Sequence, residues 1–246
     1  MNNDAIKIIL TLVIFVMVAA FAIAFTDSKT HGKIIEREKE AQQNSLAAVL
    51  SDGSEKVPDS IEGFGRFYRE TLDGKTIGYA FMGAAKGYSS TIRFFCGIDT
   101  NGNIKGLSII SQGETPGLGT RVVEVISTTR FPMGLFQKRE EGEPWFTQQF
   151  IGISAIKPIG LNRNGEWRDT WTDEAKQNLL NSNQISVITG STITTAAITN
   201  ELSARAKLLI SLLNSVNSEV KNEYIVEQTG IEIDIDEYDN GENTDD

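Results

Sequence analysis

Residues Thr189–Thr195 read TGSTITT: five hydroxyl residues and one glycine packed into a single turn. An apolar-periodic segment follows directly. Ile198, Leu202, Leu209, Leu213, Val216 and Val220 recur at three-, four- and seven-residue steps, which predicts a helix from about Thr194 to Asn222 with one apolar face. A helix start needs one or two side-chain caps, not five. The surplus hydroxyls lie where unpaired amides and the positive end of the helix dipole form a ready anion site. On local physics alone, capping and phosphate binding are equally good readings. A short apolar stretch, Ile185–Ile188, leads into the turn.

A second glycine-rich loop, Gln112–Arg121 (QGETPGLGTR), lies upstream. Pro116-Gly117 suits the centre of a type II turn, with glycine supplying positive φ. Gly113, Gly117 and Gly119 clear one wall and are expected to leave Glu114, Thr115 and Leu118 projecting. A surface turn is the default reading, and the same residues also suit a wall against a flat ring. The glycine spacing and its flanks do not form a dinucleotide-binding βαβ unit.

Between these loops and the N-terminus the pattern is strand-rich. Thr76–Met82, Ser90–Ile98 and Ile104–Ser111 read as strands, with Asp99-Thr-Asn-Gly102 as the hairpin turn joining the last two. Val122–Ser127 is expected to be helical, and Trp145, Phe146 and Phe150 to be core aromatics. Near the N-terminus, Ile8–Phe25 holds eighteen residues without a charge, long enough to span a hydrocarbon core of about 30 Å. Lys33–Leu50 reads as a helix leaving that span, ended by the Ser51-Asp-Gly53 turn. The expected organisation is an anchor over 1–27, a juxtamembrane helix and turn over 28–53, one domain over 54–226 and an acidic tail over 227–246. The fold class is α+β, with an antiparallel sheet and flanking helices.

Composition removes several chemistries. The chain has one cysteine, Cys96, and one histidine, His31, beside the apolar span. That excludes an intramolecular disulfide, a Cys/His zinc site, a cysteine-ligated cluster and CxxCH haem attachment, so redox chemistry would need an organic cofactor. Nine of the 33 acids fall within 227–246, and the rest nearly balance the 23 bases. Such a run is a solvated end, and with no basic patch nucleic-acid binding is not expected. Lys29, Lys33, Arg37 and Lys39 follow the span while only Lys7 precedes it, which taken alone favours a cytoplasmic domain.

Together, Glu114-Thr-Pro-Gly-Leu-Gly119 and Thr189-Gly-Ser-Thr192 resemble the signature of the FMN-binding domain found in the G subunit of the Rnf complex and in the C subunit of the sodium-pumping NADH:quinone reductase. The resemblance runs over roughly residues 5–215 and includes GKIIEREKEAQQNSLAAVL, GYAFMGAAKGYSS and PWFTQQF. It implies FMN joined to Thr192 through a phosphoester, with Thr189, Gly190, Ser191 and Thr195 around the phosphate. It implies further that Glu114, Thr115, Leu118 and Gly119 lie against the isoalloxazine ring. The chain departs from the family pattern at Ser191, where alanine is usual, and at Ser186, where aspartate is usual. The implied role is electron relay in a redox-driven Na⁺- or H⁺-translocating ferredoxin:NAD oxidoreductase, as a component not catalytic alone. Its implied partners are the other membrane subunits of an Rnf-type complex and a flavin transferase for maturation. The implied location is the cell (inner) membrane, with the domain on the extracytoplasmic side, against the charge bias. The quinone-reductase subunit, or a flavin-free structural subunit with a degenerate site, are the alternatives.

Overall fold

The computed structural model describes residues 3–125, 144–166 and 172–229. Five strands form one antiparallel sheet in sequence order: β1 (Glu55–Ile61), β2 (Gly65–Leu72), β3 (Lys75–Lys86), β4 (Thr91–Asp99) and β5 (Ile104–Ser111). The expected strands lie in β3, β4 and β5. β3 runs past the expected Met82 because Gly83–Lys86 continue the pairing with Thr91–Phe94 of β4, and the Phe94 ring fills the space a side chain at Gly83 would need. β1 and β2 were not legible from the sequence pattern. β1 carries Pro58 and is exposed along most of its length, as an edge strand tolerates. β2 buries Glu70 among its apolar residues, which hides the alternation.

Both faces of the sheet are covered, and β4 shows how. Its Ile92, Phe94, Cys96 and Ile98 join the main core beneath the C-terminal helix α4 (Thr192–Thr229), with Phe67 and Phe81 from neighbouring strands. Phe95, pointing the other way, joins Ala80 in a second cluster with Leu46 and Val49, at the end of α1 (Asn3–Ala48). The register sets Gly97 opposite Gly106, and this glycine pair forms a notch for Val49. A Cβ at Gly97 would lie 2.1 Å from the Val49 carbonyl oxygen, and one at Gly106 would lie 3.0 Å from Val49 Cα. Beside the notch the buried Glu70 carboxylate accepts the Ser51 amide at 2.6 Å and pairs with Lys105. Burial would raise the Glu70 pKa, but the Lys105 ammonium and the Ser51 amide outweigh it and hold the carboxyl below its usual range.

α1 runs unbroken from the apolar span to this dock. Within it lies a stretch long and apolar enough to cross a membrane, none of it buried. Thr26 to Ala48 would by itself reach about 35 Å at 1.5 Å per residue. The helix anchors the chain in a membrane.

On the other face α4 begins at Thr192 and continues to Thr229, beyond both expected limits. Ile198, Leu202, Ala206, Leu209 and Leu213 are buried, but Val216 is exposed because the helix has outrun the sheet. Short elements complete the fold: a 3-10 turn (Gly119–Val123), α2 (Trp145–Gln148), α3 (Asp173–Asn181) and a parallel pair, β6 (Gly160–Asn162) with β7 (Gln184–Ser186). Where helix was expected from Val122, the chain is instead finishing this 3-10 turn; Ile126 and Ser127 lie outside the described residues. The acidic tail beyond Thr229 also lies outside them. Trp145, Phe146 and Phe150 are core residues as expected, with the two phenylalanine rings 5.3 Å apart.

Candidate functional site

The hydroxyl-rich turn hangs from β7, whose Ser186 is clamped by the Gln149 side chain. Gln149 Oε1 accepts the Ser186 amide at 2.7 Å, and its Nε2 donates to the Ser186 carbonyl at 3.2 Å. Ser186 is fully buried, and its hydroxyl has no hydrogen-bond partner among the described residues. Gly190 turns the chain at φ +78°, and the Ser191 amide closes the turn onto the Ile188 carbonyl at 2.9 Å. The Ser191 carbonyl then accepts the Thr195 amide at 3.1 Å, so α4 starts with Thr192 in its first turn.

The five hydroxyls divide. Thr195, implied as a neighbour of a phosphate, is fully buried: its hydroxyl donates to the Ser191 carbonyl and accepts the Ile188 amide at 3.3 Å. That makes it a cap for the turn rather than an anion ligand. Thr189 is exposed and contributes its amide to Glu166 at 2.6 Å. Ser191 and Thr192 face a cavity, and no hydrogen bond ties either hydroxyl among the described residues. The fifth, Ile193's neighbour Thr194, reaches across to the second loop.

In that loop the Leu118 amide bonds the Thr115 carbonyl at 3.1 Å and Gly117 has φ +76°, the geometry expected for Pro116-Gly117. Glu114, however, does not project. Its carboxylate is buried in a slot between two glycines, where a Cβ at Gly87 or Gly119 would lie 2.6 or 2.5 Å from its oxygens. It turns inward because donors converge there. Thr194 Oγ1 donates at 2.7 Å, the Ser89 and Ser90 amides at 2.9 Å, and the Tyr88 amide and the Ser90 hydroxyl at 3.2 Å. Burial alone would raise the Glu114 pKa; the Thr194 hydroxyl and the Ser90, Ser89 and Tyr88 amides hold it below the usual range. One carboxylate thus ties three segments together: residues 88–90, the Glu114–Gly119 loop and the first turn of α4.

A second carboxylate steadies the other side. The Arg121 guanidinium forks onto Glu166 at 2.7 and 2.8 Å and reaches Glu124 at 2.9 Å. Glu166 in turn receives the Thr189 amide. The Glu166 partnership foremost raises the Arg121 pKa, keeping the guanidinium charged.

These ties frame a cavity of about 460 Å³, within the range of small-molecule sites. Its walls combine Glu114, Thr115, Leu118 and Gly119 with Gly190, Ser191, Thr192, Ile193 and Thr194, and Tyr88 stands at the rim. Tyr88 (72%), Ile193 (57%) and Leu118 (43%) are well exposed, leaving apolar surface ready for a flat ring. Leu118 also backs Gly190, where a Cβ would come within 3.0 Å of its Cδ2. The two loops, about 70 residues apart in sequence, therefore make one site with room for a ring and two unengaged hydroxyls. Tyr88, Ile193 and Thr194 belong to it, and Glu166 supports it, without having been assigned from sequence. The Gly87-Tyr-Ser-Ser90 step before β4 was a readable signal for the first; nothing in the sequence marks Glu166.

Residues 87–205 match the FMN-binding domain. The G subunit of the Na⁺-translocating ferredoxin:NAD⁺ oxidoreductase complex of Acetobacterium woodii is 29% identical over 215 residues, covering 78% of this chain and 86% of that one. The G subunit of the ion-translocating oxidoreductase complex of Cereibacter sphaeroides is 32% identical over 122 residues, 46% of this chain and 56% of the relative. Among solved structures, the C subunit of the Na⁺-translocating NADH-quinone reductase from Parabacteroides distasonis aligns over 74% of this chain and 96% of its own, at 18% identity and a TM-score of 0.46. The cavity built from the Glu114 and Thr192 loops lies within residues 87–205, the span that matches the FMN-binding domain.

Proposed function

We propose that this chain is the G-type subunit of a redox-driven ion-translocating complex, with FMN carried as a phosphoester on Thr192 Oγ. The observation that carries the reading is the Thr192 hydroxyl, half-buried in the cavity wall and engaged by no other described residue, beside the Leu118 and Ile193 surfaces. Attachment forms a bond between that hydroxyl oxygen and the flavin phosphorus as a flavin transferase transfers FMN from a flavin dinucleotide, whose nucleoside monophosphate leaves with the hydroxyl proton, so that the chain gains one FMN less water. Bound FMN supplies the capacity to take up and release electrons, which the side chains of this protein lack. The chain's own part is to hold the ring at the cavity mouth and to fix its distance from partners through the docked α1. In such a complex the electrons would pass between ferredoxin and NAD, the substrates named for the Acetobacterium woodii relative. The organisation that follows is an anchor over 1–27, the juxtamembrane stretch over 28–53, the flavin domain over 54–226 on the extracytoplasmic side, and a tail over 227–246.

Intact mass and in-gel flavin fluorescence on protein from its own host's membranes test this. The expected result is a gain of one FMN less water on the peptide holding Thr192, lost in Thr192→Ala. An unmodified wild-type mass would instead favour a flavin-free structural subunit, with the Ser186 and Ser191 departures as the cause.

A further inference from the structure

The proposed tether has a counterpart in the charge of the cavity. We infer that the cavity takes a flavin by its ring and not by its phosphate, so that a phosphate-free flavin binds the unmodified chain at least as well as FMN. This rests on the reading of the cavity as a flavin site. Among the described residues its lining includes no lysine, arginine or histidine, and it includes the Glu114 carboxylate. Glu114 already accepts the Thr194 hydroxyl in the first turn of α4. The positive end of the helix, worth roughly half a charge, therefore faces a resident full negative charge. The Arg121 cation and two nearby amides are already engaged, which leaves neutral donors, the Ser191 and Thr192 hydroxyls among them, in the described lining. Arg121 is held by Glu166 and Glu124, the Thr189 amide by Glu166, and the Ser191 amide by the Ile188 carbonyl.

A free phosphate monoester brings a charge of about −1.5 to −2 at pH 7 into these surroundings. Esterified to Thr192, the same phosphate is a diester, which carries a single negative charge and is held by a bond. Covalent attachment then serves retention directly, because the described lining offers the phosphate no cation to keep it otherwise. Specificity falls to the ring, through Leu118, Ile193 and Tyr88.

The test uses the full chain produced without flavin transferase, its unmodified mass verified, in detergent. Riboflavin and FMN are titrated separately at low and high NaCl, following flavin fluorescence anisotropy. Riboflavin is expected to bind as tightly as FMN or more tightly, with FMN binding strengthening as salt screens the repulsion. Glu114→Gln, which removes the charge and keeps an acceptor oxygen, should raise the ratio of FMN to riboflavin affinity by about three- to tenfold. FMN binding about tenfold tighter than riboflavin, or weakening with salt, overturns the inference while leaving the flavin site standing. Binding of neither flavin by folded chain overturns the flavin site itself. Should the variant fail to fold, the two wild-type titrations still decide.

Discussion

The two ends of the sheet each bury a glutamate, and they satisfy it differently. At the α1 dock, Glu70 has Lys105 beside it as well as the Ser51 amide. At the cavity, Glu114 has amides and hydroxyls but no cation among the described residues. Glu166, behind the cavity wall, follows the first pattern with Arg121. Glu70 and Glu166 are each paired with a cation. Glu114, the one that lines the cavity, meets only neutral donors among the described residues. A buried ion costs several kcal/mol to desolvate, so this difference has measurable consequences.

The largest belongs to the dock. Lys105→Met leaves Glu70 buried and unpaired and should destabilise the fold by about 3–5 kcal/mol in chemical denaturation. Adding Glu70→Gln should restore much of that loss. If the single variant were as stable as wild type, the ammonium would not be what compensates Glu70, and the contrast with Glu114 would dissolve. Gly97→Ala attacks the same dock sterically, forcing a methyl against the Val49 carbonyl at a cost of about 1–3 kcal/mol. It should release the end of α1, read as faster proteolysis near Ser51–Gly53, while the α4 face keeps its core.

At the cavity end, Glu114→Ala strands the Tyr88, Ser89 and Ser90 amides and the Thr194 hydroxyl. We expect a loss of about 2–3 kcal/mol, with amide exchange rising locally at 88–90 and 114–119. Acid should act on the same tie. Because the folded Glu114 binds its proton more weakly than the ordinary value of 4.5, its stabilisation is complete above that value. It declines as pH falls through the lower folded pKa, when the carboxyl protonates and stops accepting. The stability gap between wild type and Glu114→Gln should therefore be widest near pH 7 and shrink below about pH 4.5. A gap that widened in acid would mean that the folded pKa is raised, not lowered.

What was legible in the sequence follows the same division. β4, β5 and their hairpin announce themselves through apolar alternation and Asp99-Thr-Asn-Gly102, and α4 through its periodicity, because burial there obeys one pattern on one face. β2 was hidden by Glu70, a charge facing inward, and β1 by exposure. The Glu114 loop and the Thr189 turn could be singled out by their glycines and hydroxyls, yet the direction of Glu114 could not. Its donors come from residues 88–90 and 194, distant in sequence and ordinary in type. Glu166 was illegible for the same reason: its partner Arg121 lies 45 residues away, and charged loop residues are usually solvated.

The smallest effect separates the two neighbouring threonines on which the site reading depends. Thr195→Val removes a buried hydroxyl that both donates to the Ser191 carbonyl and accepts the Ile188 amide, and should cost about 1 kcal/mol as a lost cap. Thr192→Ala removes a hydroxyl with no partner among the described residues, at a helix start where alanine is no worse than threonine. Its stability change should stay within about 0.5 kcal/mol in protein lacking flavin. The fold would then be indifferent to the one hydroxyl proposed to carry the cofactor and sensitive to its neighbour three residues on. A Thr192→Ala cost above that of Thr195→Val would assign Thr192 a structural partner, and the free hydroxyl on which the attachment rests would be lost.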